Sequence, residues 1–215
     1  MTKEKRLRAA MGANALIVAL EMVALALSLV NQGIYNFVFY TQDSNYFAMA
    51  VSVIFCVYSV RELKGKGKMP DWVHTLRYVS VSCLMVTFFV VLFVLMPMME
   101  ENPAAMLYQG SMLYQHTLCP ILAVLSFFAF EGRKPLPRGA VGRALIPTLV
   151  YAAAAITLNL CRVIAGPYPF LLVYAQPWYM SVAWCVIIFA IAGILAYVIA
   201  RIYNVIWKRN GGNKR

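Results

Sequence analysis

Acidic residues are scarce in this chain: eight Asp and Glu stand among 215 residues against nineteen Lys and Arg, and charged residues of both signs make up only 13%. Ordinary soluble domains carry about 25%. Histidine occurs twice, at His74 and His116. The apolar runs place these two at opposite membrane faces, so they cannot ligate one ion and no metal site is expected. The five cysteines, Cys56, Cys83, Cys119, Cys161 and Cys185, form no C-x-x-C pair and each lies in apolar sequence. They read as small buried hydrophobes, with neither a disulfide nor a cofactor expected. No internal repeat is visible, and no Gly/Pro interruptions recur at corresponding helix positions. Both absences argue against an inverted-repeat transporter.

Apolar sequence is what the chain has in excess. It is 62% hydrophobic with a mean hydropathy of +0.71, against about 45–50% apolar residues in soluble proteins. An integral membrane protein is expected. All Lys and Arg except Arg162 fall in four clusters, at 3–8, 61–77, 133–143 and 201–215, and every second gap between apolar runs lacks them. Lys and Arg stay cytoplasmic, so this alternation predicts that both termini and the second and fourth loops are inside. The loops 31–41, 98–110 and 162–180 then face out. The formal charge of +11 belongs with anionic lipid headgroups beside the helices, and nucleic acid is not an expected partner.

The expected fold class is therefore all-α: a polytopic bundle of six transmembrane helices with both termini cytoplasmic, forming a single domain over 1–215 in the cell membrane. The crossings are predicted at about 9–30, 41–60, 73–97, 111–131, 143–161 and 180–207. The first follows basic residues like a signal peptide, but it exceeds the roughly 7–15 apolar residues of such segments and reads as an uncleaved helix. Nothing in the sequence reports an oligomeric state.

Two polar clusters lie at the outer face. Tyr40-Thr41-Gln42-Asp43-Ser44-Asn45 enters the second crossing. A helix starting near Thr41 puts Thr41, Ser44 and Asn45 on one face, although the same residue types also cap helix N-termini. The second is Tyr114-Gln115-His116-Thr117-Leu118-Cys119-Pro120. Pro120 cannot donate to the His116 carbonyl, so a bend is expected there. His116 is either a catalytic imidazole or a neutral interhelical hydrogen-bonding group. A Thr alcohol needs an adjacent base to attack a carbonyl, and His116 is the only imidazole on that side. Thr41 as nucleophile and His116 as base are thus the candidate catalytic pair, with the α-helical N-terminus available to an oxyanion. Asp43, Asn159 and Arg162 are candidates for a supporting third group, with Ser44 and Asn45 beside the pair.

Phe39-Tyr40-Thr41, His116-Thr117-Leu118-Cys119-Pro120 and Tyr168-Pro169-Phe170-Leu171 together resemble the androgen-induced gene 1 and androgen-dependent TFPI-regulating protein family. The resemblance covers these three patches and their order among six crossings. It implies a six-crossing membrane hydrolase that cleaves lipid esters, fatty acid esters of hydroxy fatty acids among them, with the threonine and histidine roles falling on Thr41 and His116. Membrane lipids and a lipid-ester substrate are then the expected partners. A small-solute or ion permease with Glu21, Asn14 and Asn159 along a path, and a non-catalytic scaffold, are the competing readings. Glu21, near the middle of the first crossing, is expected to face the interior with a hydrogen-bond partner, either Asn14 or a group on a neighbouring helix. The Pro- and aromatic-rich loop before the last crossing reads either as a cover over the bundle mouth or as an interfacial aromatic belt.

Overall fold

The computed structural model describes residues 1–209. Lys214 and Arg215, the last charges of the fourth basic cluster, lie outside the described residues. The described chain is all-helical. Its main elements are α1 (Lys3–Gln32), α2 (Tyr40–Leu63), α3 (Asp71–Val90), the short α4 (Ala105–Tyr108), α5 (Cys119–Ala129), α6 (Ala140–Leu160) and α7 (Trp178–Trp207). Five continuous helical stretches are long and apolar enough to cross a membrane: Lys3–Val38, Tyr40–Leu63, Asp71–Met98, Ala140–Leu160 and Trp178–Trp207. The stretch Leu113–Ala129, where a fourth crossing is expected, is a shorter apolar helix. This is the architecture of a multi-pass membrane protein.

Local chemistry sets the helix ends. The Thr2 hydroxyl accepts from the Lys5 N–H at 3.3 Å, and Glu4 pairs with Arg8 one turn on, so α1 begins with both a cap and an i,i+4 pair. It stops at Gly33, whose φ of +57° suits a residue without Cβ. Pro70 and Pro177 immediately precede α3 and α7, where a missing N–H costs the helix nothing.

The helices pack around α3, which contacts α2, α5, α6 and α7, while α1 lies against α2 and α5. Along α1 the buried residues are Leu7, Ala10, Asn14, Ile17, Glu21, Ala24 and Ser28, a single stripe at three- and four-residue spacing. The opposite faces of the peripheral helices remain apolar and exposed, as at Leu149 and Val150 on α6 and Val186 and Ile194 on α7. A soluble monomer rarely exposes apolar surface so continuously, whereas acyl chains cover it without penalty.

One end of the bundle is tied by a buried ion pair that the sequence reading left unpaired. Arg77 donates to both carboxylate oxygens of Glu131, from Nε at 3.0 Å and Nη2 at 2.9 Å. Asn14 Nδ2 and Ser126 Oγ also donate to Glu131, while Arg77 Nη1 reaches Ser52 and Ser80. Helices α1, α2, α3 and α5 thus meet through one network. Neither charged side chain is accessible, and such a pair survives burial only because its remaining polar positions are also satisfied. Nearby, Glu62 binds Lys3 and Arg133, and Lys134 pairs with Asp71.

Candidate functional site

At the other end of the bundle, α2 starts one residue before Thr41. Phe39 holds the extended N-cap position without a side-chain capping bond, so none of Thr41, Asp43, Ser44 and Asn45 caps this helix. Three of them instead make tertiary contacts. The Thr41 N–H donates to the Tyr168 phenol oxygen at 3.1 Å, and that phenol donates to Thr41 Oγ1 at 3.4 Å. Ser44 Oγ lies 3.2 Å from the Thr41 carbonyl and 2.6 Å from the Thr87 hydroxyl on α3. Asn45 Nδ2 donates to the Thr41 carbonyl at 2.6 Å and to the Gln115 carbonyl at 3.0 Å. Asp43 is half-buried with no hydrogen bond or ion pair from its side chain among the described residues.

Thr41 lines a small cavity of about 50 Å³, its exposed lining apolar, together with Thr87, Thr148, Tyr151 and Tyr168. Tyr168 is placed by stacking on Phe170, with centroids 5.2 Å apart, and by edge contact with Phe39. Burial pushes its phenol up to about 12, so at neutral pH Tyr168 keeps its proton and acts as a donor. Tyr40 and Thr148 close the cavity with a hydroxyl pair 2.9 Å apart.

His116 sits in a π-helical turn, Leu113–Leu118, that leads into α5. The wide turn follows from Pro120, which removes the donor that an α-helix would direct at the His116 carbonyl. The chain widens instead, and the Cys119 N–H bonds to the Tyr114 carbonyl. Such single π turns are frequent at functional sites. The imidazole is buried, with Nδ1 2.8 Å from the Met106 carbonyl. A carbonyl can only accept, so Nδ1 carries the proton and Nε2 holds a free lone pair; Nε2 is buried without a partner. No hydrogen bond joins His116 to Thr41 among the described residues, and His116 does not line the Thr41 cavity.

The other candidates lie elsewhere. Asn159 is a loop staple, donating to the Ile164 carbonyl and accepting from the Val173 N–H. Arg162 is exposed with φ +57°, its guanidinium over the Tyr174 ring at 4.8 Å. Neither contacts Thr41. Glu21 is fully buried, as expected, and its one polar neighbour from another helix is the Cys119 thiol of α5; no nitrogen or oxygen donor reaches either carboxyl oxygen. Asn14, two turns away on the same face, is committed to Glu131 and to the Ala10 carbonyl.

Tyr168 and Thr87 are the residues that reading the Thr41 segment alone would not supply. Tyr168 lies 127 positions from Thr41; its place in a Pro- and aromatic-rich segment and in the third resemblance patch marked it, but not as a partner of Thr41. Arg77 and Glu131 did carry a signal. They are opposite charges at the same end of the bundle, Arg77 in the second turn of α3 and Glu131 two residues beyond α5. Compared with known proteins, the chain matches no family model, no curated protein and no solved structure.

Proposed function

We propose that this chain is an integral-membrane lipid-ester hydrolase in which Thr41 is the nucleophile and His116 the general base. The observation that carries the reading is the Asn45 clamp. One amide nitrogen holds both the carbonyl of Thr41 and the carbonyl of Gln115, the residue before the histidine, so the nucleophile's turn and the base's turn are fastened together. The free lone pair on His116 Nε2 is the form a base requires.

In this mechanism the Thr41 hydroxyl leaves Tyr168 and turns to Nε2. Its oxygen attacks the ester carbonyl as Nε2 takes the proton, and the Met106 carbonyl stabilises the imidazolium through Nδ1–H. Collapse of the tetrahedral intermediate breaks the ester C–O bond, and His116 returns the proton to the departing alcohol. Water then attacks the Thr41 acyl ester by the same route, releasing the acid. The protonated Tyr168 phenol, freed from Thr41 Oγ1, is a donor for the developing oxyanion. The aromatic cavity accommodates only the reacting ester group, and its acyl chain lies between helices toward the bilayer.

The resemblance to the androgen-induced gene 1 family supports the same pair. In this reading Leu113–Ala129 is a sixth crossing, both termini are cytoplasmic in the cell membrane, and Thr41 opens toward the outer leaflet. The decisive experiment is covalent labelling of the purified protein by a fluorophosphonate probe, paired with hydrolysis of a fatty acid ester of a hydroxy fatty acid. Thr41→Ala is expected to abolish both, His116→Ala to abolish turnover, and Thr41→Ser to retain labelling. Unchanged hydrolysis in both alanine variants rejects the reading. For topology, cysteines at Lys66 and Glu101, in a Cys161→Ser background, are expected to label from opposite sides.

A cation-permease reading draws on one observation, the buried Glu21 carboxyl, approached by no nitrogen or oxygen donor and only by the Cys119 thiol. Cation flux through the protein in liposomes, lost in Glu21→Gln, would establish it in place of hydrolysis.

A further inference from the structure

A second and much larger cavity, about 660 Å³, opens at the basic end of the bundle, away from Thr41. Its rim carries Lys3 and Lys68, both exposed, and its wall carries the half-buried Arg6 and Arg133. The single carboxylate on its lining, Glu131, is already consumed by Arg77. Lys3 and Arg133 share Glu62. Arg6 and Lys68 make no ion pair among the described residues, and the Arg6 guanidinium makes one hydrogen bond, to the Gly132 carbonyl at 3.2 Å. Arg6 and Lys68 are therefore uncompensated cations at one cavity, and Arg6 is a guanidinium fork suited to phosphate oxygens.

Part of the remaining lining is apolar. Leu7, Phe55, Phe128 and Trp207 continue the cavity from the charged rim into the helix packing. The backbone beside the cations is held rigidly. The Tyr203 hydroxyl accepts from the Arg133 N–H at 3.1 Å, donates to the Lys134 carbonyl at 3.0 Å and lies 2.9 Å from His74 Nε2. A cavity that is cationic at its mouth, apolar at its floor and set at the end of membrane helices has the polarity of an amphiphile with a phosphate head.

We infer that this cavity binds a membrane lipid through a dianionic phosphomonoester headgroup, with Arg6 and Lys68 neutralising the phosphate and the aromatic floor covering the glycerol region. The site is independent of the Thr41 chemistry. A phosphomonoester can equally come from a soluble metabolite, and the test separates the two sources.

The full chain in neutral detergent is titrated calorimetrically with dioctanoyl phosphatidic acid, dioctanoyl phosphatidylcholine, glycerol 3-phosphate and inorganic phosphate. The expected result is saturable binding of one phosphatidic acid per chain, with phosphatidylcholine and the two chainless phosphates at least about tenfold weaker. The double variant Arg6→Gln, Lys68→Gln is expected to weaken phosphatidic acid by about tenfold or more. Lys64→Gln, Lys66→Gln, which removes the same charge from the neighbouring loop without touching the cavity, is expected to weaken it less than about twofold. Equal affinity for glycerol 3-phosphate overturns the lipid assignment. Absence of saturable binding, or equal weakening by the two double variants, overturns the site.

Discussion

Replacing Glu131 with Gln tests what holds the basic end of the bundle together. The substitution keeps the shape and one acceptor oxygen but leaves the Arg77 guanidinium charged, inaccessible and without its counter-ion. Removing one partner of a buried pair costs about 3–5 kcal/mol. The lower half of that range is expected, because Ser52 and Ser80 still take one guanidinium nitrogen. Arg77 lies six residues into α3, about 9 Å along its axis. In the unfolded micellar state it can therefore snorkel to the headgroups, and most of the penalty falls on the folded state. Unfolding in mixed micelles titrated with SDS, followed by tryptophan fluorescence, gives the free energy difference. The double variant Arg77→Met, Glu131→Leu removes both charges and is expected within about 1 kcal/mol of the wild type, since an apolar replacement of similar volume is tolerated. A loss below about 1 kcal/mol in Glu131→Gln, or a double variant as unstable as the single one, refutes the reasoning.

Tyr168→Phe removes the phenol that bonds Thr41 at two atoms. It is expected to lower stability by about 1 kcal/mol and ester turnover by about 10²-fold, read by SDS unfolding and single-turnover kinetics. Pro120→Ala supplies the N–H that the His116 carbonyl lacks. An α-helical turn replaces the π turn, His116 rotates off the Met106 carbonyl, and turnover falls without loss of stability; unchanged turnover would show that the π turn does not position the imidazole. Glu21→Leu is expected to be at least as stable as Glu21→Gln in the same unfolding assay, because only the weak Cys119 thiol contact would be lost and an unsatisfied buried polar group costs about 1–3 kcal/mol. The opposite order would reveal a partner for Glu21.

The helical class and the helix positions were legible in the sequence because bilayer hydrocarbon demands about 20 apolar residues and satisfied backbone groups at every crossing. Those demands are local. The bend before Pro120 was legible for the same reason, since a missing N–H acts within one turn. The polar stretch at Thr41 was visible too, but its residue types favoured capping over chemistry. Packing overturned the capping: α2 starts at Tyr40, behind an uncapped Phe39, so Ser44 and Asn45 are free to reach Thr87 and Gln115.

Partners distant along the chain were decided by the tertiary structure alone. Asn14 was one of the two partners expected for Glu21, its neighbour on the α1 stripe, yet it bonds Glu131 117 positions away. Tyr168 meets Thr41 through the path of the loop before α7, and Arg77 meets Glu131 where the chain leaves α5, placements that no spacing rule encodes. Apolar periodicity fixes which face of a helix turns inward, and basic loops indicate which end lies on the cytoplasmic side. Which inward-facing polar groups then touch depends on how α1, α2, α3 and α5 rotate and slide against one another, a choice made by close packing of side chains across the whole bundle.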